Sequence, residues 1–165
     1  MKNILKISLT FTILLISFTS FSQNFDVPNI KDLKEKNDYI KHEQDVLKAV
    51  NWLIETPINQ ETEKRKKVLA FVFAWASGSP YSFEIQEYVT NFKGENLIIF
   101  IGGWAKHIIE TKDQNVLNGN VAGVQAIIKT YENNEAISKK NKTIEKFKKY
   151  QKKGVLKQKI QKLIQ

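Results

Sequence analysis

The sequence predicts an all-α fold: a compact bundle of four to five helices with a lysine-rich amphipathic C-terminal helix or arm. Three observations lead there. Apolar residues between positions 39 and 133 recur mostly at spacings of three and four instead of alternating, which is the period of a helix that buries one face. These runs are punctuated by Pro57, Ser77-Gly78-Ser79-Pro80 and Lys93-Gly94, residue types that stop helices and make turns. The charge is also divided unevenly. Lysine and arginine total 26 against 17 acidic residues, yet residues 136–165 hold eleven lysines and a single acid, Glu145. Residues 23–135 hold 13 basic and 16 acidic residues, so a near-neutral to acidic body carries a strongly basic end.

The amino end reads as a signal peptide spanning residues 1–22. Lys2 and Lys6 supply the positive start, Ile7 to Phe18 the apolar stretch, and Ser20 and Ser22 the small residues before cleavage at Gln23. The expected location is therefore periplasmic or secreted. The stretch is short for a permanent membrane span. The chain has no cysteine, which excludes a cysteine-linked lipid anchor, thiol catalysis and disulfides. Residues 23–135 then form a helical globular domain, and residues 136–165 a basic amphipathic segment. The length after residue 22 suits one domain with a sizeable core.

Taken in order, Gln23 to Lys31 is irregular, with Pro28 holding Val27 extended. Asn37 and Asp38 are start signals for a helix over Tyr39–Thr56, whose Val46, Leu47, Val50, Leu53 and Ile54 share a face. Pro57 ends it. A second helix opens at Glu61-Thr62-Glu63 and turns almost wholly apolar from Val68 to Trp75. A buried strand is the alternative there and at 97–101, but the alanines and polar flanks favour helix. A shorter helix is expected over Tyr81–Phe92. Asn96 caps the next, which carries Leu97 to Ile109 and is interrupted by Gly102-Gly103. Each glycine costs about 1 kcal/mol of helix propensity against alanine, so a kink or a close helix crossing is expected. Asn118-Gly119-Asn120 leads into a last core helix ending near Tyr131, with Gly119, Ala122 and Ala126 as a narrow packing face.

No residue set reaches a specific chemistry. His107 and Glu110 share a helix face at i,i+3, but a metal centre needs a further ligand and no HExxH pattern exists. His42 stands alone. Ser77 and Ser79 sit in a turn without a nucleophile-elbow context. Glu84 and Glu87 are a routine surface pair and not a glycosidase couple. Trp52, Trp75 and Trp104 read as core or rim. No catalytic residue, cofactor or metal ligand is therefore expected, and the chain reads as a non-enzymatic interaction module.

The basic end is the candidate site. Ile137, Ile144, Phe147 and Tyr150 make one apolar edge, Gly154 breaks it, and Leu156, Ile160 and Leu163 resume it. Around them stand Lys139, Lys140, Lys142, Lys146, Lys148, Lys149, Lys152, Lys153, Lys157, Lys159 and Lys162. The candidate interaction residues are these lysines with Phe147 and Tyr150. Such a pattern suits the protein's own core, an acidic protein groove or an anionic membrane surface. Lysine attracts at long range without the fixed fork of arginine, and Arg65 is the sole arginine. Nucleic acid is disfavoured for that reason, and a protein partner in the cell envelope is preferred.

Two segments, Ile99-Phe-Ile-Gly-Gly-Trp-Ala-Lys106 and Asn118-Gly-Asn-Val-Ala-Gly-Val-Gln-Ala126, together with the signal ending Ser-Phe-Ser-Gln, resemble a type of small exported all-helical protein of Bacteroidetes. The resemblance covers roughly residues 40–133 and implies no particular activity. The chain is also loosely similar to periplasmic helical immunity proteins, which bind secreted toxins. It shares with them export, size, short helices and a Gly-rich helix start, but lacks their cysteines and adds the basic segment.

Overall fold

A computed structural model describes residues 25–92 and 94–164, so the signal-peptide reading of residues 1–22 lies outside the described part. Among the described residues seven α-helices follow in order: α1 Lys36–Lys41, α2 Glu43–Glu55, α3 Thr62–Gly78, α4 Glu95–Thr111, α5 Val116–Asn133, α6 Lys142–Lys152 and α7 Leu156–Gln161. Among the described residues there is no strand, which removes the strand alternative at 68–75 and 97–101. No described helix is long and apolar enough to cross a membrane.

The expected first helix is split at His42. α1 begins earlier, at Lys36, because the Asp38 carboxylate reaches back to accept the Glu35 and Lys34 N–H groups. The split has a tertiary cause: the Tyr39 carbonyl, on this short helix, accepts the Trp75 indole N–H at 2.8 Å. His42 then serves as the junction, with its own Nδ1 paired to Asp45 at 2.9 Å. The apolar face of α2 is buried as the period demands, with Val46, Ala49, Val50 and Leu53 nearly inaccessible.

Residues 80–86 do not continue as a helix. They run extended, and only Glu87–Asn91 closes into a 3-10 turn. Packing decides this. An extended strap lets Tyr81 lie on Trp75 at 6.0 Å and Phe83 meet Trp104 edge-on at 5.7 Å. Tyr88 is carried to a buried hydrogen bond with Asn120 at 2.7 Å. Local helix propensity is weaker than three aromatic anchors.

α4 forms the centre and packs on α2, α3 and α5. Gly102-Gly103 does not interrupt it; the helix is continuous from Glu95 to Thr111. Close approach is the outcome. A Cβ on Gly103 would lie 2.5 Å from the Ala126 Cβ and 2.9 Å from the Ala122 carbonyl oxygen. Gly123 faces Phe100 in the same way, and Gly119 makes room for the Trp104 ring. Gly119 and Asn120 therefore sit inside α5, whose cap is Asn115, accepting the Asn118 N–H at 3.1 Å. Asn96 likewise is not a cap, since Gly94 occupies that position with φ +62°.

The C-terminal segment turns through residues 134–141 and then forms α6 and α7, both packed on α5. Gly154 separates them with φ +68°, a conformation that suits glycine. Ile144, Phe147, Leu156 and Ile160 belong to the same continuous core as α4 and α5.

Candidate functional site

The Ile144–Ile160 register determines what the lysines can do. On α6, Ile144 and Phe147 point inward, and Lys142, Lys146, Lys149 and Lys153 follow at steps of four, three and four on the opposite side. All four are exposed. They form a ridge about 16 Å long at 1.5 Å per residue. Lys139, Lys140, Lys152, Lys157, Lys159 and Lys162 are exposed as well. Tyr150 is half-buried and sits within 5.9 Å of the Lys146 ammonium and 5.6 Å of the Lys159 ammonium, tying the two helices into one surface. Beside α6 lies a shallow cleft of about 660 Å³ lined by six lysines with Glu135 and Glu145.

Two of the sequence-derived candidates are largely withdrawn from that surface, although Lys148 still lines the cleft. Phe147 is only 4% exposed. It packs on Tyr88 at 5.8 Å and Phe92 at 5.7 Å. Lys148 is 8% exposed. Its ammonium bonds Glu135 at 3.2 Å, lies 3.6 Å from Glu132 and stands over the Tyr131 ring. The Glu135 hydrogen bond holds its proton more tightly than in an ordinary lysine, and the charges of Glu132 and Glu145 add to this. Both belong to the inward half of an amphipathic helix: Phe147 is closed off in the core, and Lys148 reaches only the edge of the cleft, its charge taken up by Glu132 and Glu135. Ile137 is exposed and lies outside α6.

The sole arginine is likewise internal. Arg65 is 3% exposed and donates to the Leu53 and Thr56 carbonyls at 3.2 and 3.1 Å and to Glu95 at 2.9 Å. It closes the end of α2 and ties it to the first turn of α4. The exposed basic surface thus consists of lysine alone.

The remaining candidates disperse. His107 does not pair with Glu110, which takes Lys106 instead; its Nε2 meets Asp113 at 3.1 Å. Asp113 also accepts the Asn115 N–H and the Asn118 amide, and these donors pull its carboxyl down to about 2. His42 bonds Asp45 and lies edge-on to Phe71. Tyr81 donates to Glu43, and burial with that carboxylate pushes its hydroxyl up to about 12. Burial alone raises Tyr88 further. Glu87 lies on the 3-10 turn and Glu84 on the extended strap, so they share no helix face. Among the described residues no three His, Asp or Glu side chains gather as a metal site. The His107–Asp113 pair was not legible in the sequence: it joins the end of α4 to the loop after it, and needs the left-handed Lys112 between them.

No family model, curated protein or solved structure matches the chain.

Proposed function

We propose that the protein is an exported, non-enzymatic interaction module that binds an acidic protein surface in the cell envelope through the lysine face of α6 and α7. The observation that carries this is the division of α6: Ile144 and Phe147 lie in the core, and Lys142, Lys146, Lys149 and Lys153 point out. Charge arranged this way gives fast, salt-sensitive encounter with an oppositely charged partner. A membrane-surface role is the second reading, supported by the same charge. An interfacial helix normally buries its apolar side in lipid, and here that side is already used by the core. The protein reading is preferred for that reason.

The test is capture from envelope extract with the immobilised protein and with its Lys142→Gln/Lys146→Gln/Lys149→Gln/Lys153→Gln variant, beside sedimentation with anionic and neutral vesicles. The expected result is a saturable acidic protein, weakened on the order of 10- to 100-fold in the variant at low salt and far less so in 1 M salt, where the screening length falls to about 3 Å. Equal capture by both proteins would overturn the assignment to this face. Binding only to anionic vesicles would replace the protein partner with a membrane.

A further inference from the structure

A second recessed surface lies on the body of the molecule, away from the lysine helices in the chain. It is a cleft of about 300 Å³ between α2, α4 and α5, at the small end of ligand pockets. Its origin is the close helix crossing. Gly103 brings α4 against α5 at Ala122 and Ala126, and beside this contact Ala126 and Ile54 form a buried apolar floor.

The rim is polar and its groups are unequal. Lys106 on one side is engaged by Glu110. Lys129 on the α5 side is exposed and, among the described residues, has no carboxylate within ion-pair distance. Asn51 and Gln125 add carboxamides, which donate and accept.

His107 also lines the cleft, and its proton is placed. Asp113 is held ionised by the Asn115 N–H at 2.8 Å and the Asn118 amide at 2.7 Å. An ionised carboxylate only accepts, so the facing Nε2 carries the hydrogen. Nδ1 has no partner among the described residues and is left for a polar group from outside.

Beside the paired Lys106 and Glu110, the rim therefore offers one uncompensated ammonium, one unpaired ring nitrogen and two amides over a small apolar floor. That set complements a carboxylate, at least one hydroxyl and a compact carbon skeleton. We propose that this cleft binds a small hydroxylated carboxylate of about monosaccharide size, its carboxylate on Lys129 and a hydroxyl hydrogen-bonded to His107 Nδ1.

Amide NMR titrations of the protein with glucuronate, glucose and acetate test this. Glucuronate should shift the Gly103, Gln125 and Ala126 amides saturably, and glucose and acetate should bind about tenfold or more weaker, each lacking one of the two charged or hydroxyl contacts. Lys129→Gln should weaken glucuronate about tenfold and leave glucose unchanged, as expected for one charge-assisted bond. His107→Phe should weaken glucuronate and glucose together and leave acetate unchanged. Both side chains lie at the surface, and thermal melts confirm that each variant is folded. Three outcomes would overturn the proposal: no saturable shift with any probe, equal affinity for acetate and glucuronate, or shifts confined to the α6 lysines.

Discussion

The crossing of α4 on α5 and the docking of α6 and α7 on α5 are two ways of joining helices in one small protein. The first works by removing side chains. Gly103, Gly119 and Gly123 let backbone and aromatic rings approach to contact distance. The second works through a few large teeth, Ile144, Phe147, Leu156 and Ile160, in helices that are otherwise mostly polar and rich in lysine. One joint tolerates no added volume, and the other tolerates no lost volume. They meet in one aromatic cluster, where Phe92 lies on Phe100 of α4 at 6.3 Å and on Phe147 of α6 at 5.7 Å.

Phe147→Ala should therefore have the largest effect. Truncating a buried phenylalanine costs roughly 3–5 kcal/mol in a full core. Phe147 sits at the edge of the cluster, which places the loss at about 3 kcal/mol. If the two joints form one cooperative unit, denaturant unfolding monitored by tryptophan fluorescence and by α6 amide exchange should shift together. Separate transitions, with α6 exchanging early and the fluorescence midpoint unmoved, would show that the lysine helices are an independent attachment.

Gly103→Ala comes next and probes the opposite tolerance. Alanine gains about 1 kcal/mol of helix propensity over glycine. The added carbon would meet the Ala126 Cβ and the Ala122 carbonyl oxygen, which move only with the α5 backbone, and overpacking of that kind costs about 3 kcal/mol. The net expectation is a loss of about 2 kcal/mol in urea unfolding, with α4 amides affected before those of α6. An unchanged or raised midpoint would mean that the crossing is loosely packed and the comparison unfounded.

The two joints were also unequally legible. The apolar period of α2, α4 and α5 and the breaks at Pro57 and Gly154 are carried by neighbouring residues, so they can be read along the chain. The glycine pair could be assigned to a kink or a crossing, and only the partner helix decides between them. The strap over residues 80–86 was missed because its anchors, Trp75, Trp104 and Asn120, are distant in sequence. At the candidate surface, composition identified the lysines, but placing Phe147 on it ignored the phase of α6, which also turns Lys148 toward Glu132 and Glu135. The burial of Arg65 had no sequence signal, since its acceptors are two carbonyls and a carboxylate brought near by folding.

The smallest expected effect isolates the one ionic element of the second joint among the described residues. Lys148 is held by Glu135 and Glu132 with its proton bound more tightly than usual, the Glu135 hydrogen bond being the main cause. A lysine whose folded-state pKa is raised contributes stability that is fully present below the unfolded value of about 10.4 and is lost as pH rises through the folded value. Lys148→Met keeps an apolar stem against Tyr131 and removes the charge. The melting temperature of the variant should lie slightly below that of the parent near pH 8, and the gap should close as pH rises above about 10.4. The other lysines and the tyrosines titrate in both proteins, so the difference between the two curves reports Lys148. A gap that stays constant from neutral to alkaline pH would assign the contribution of Lys148 to its packed methylenes, and the second joint would then be held by apolar teeth alone.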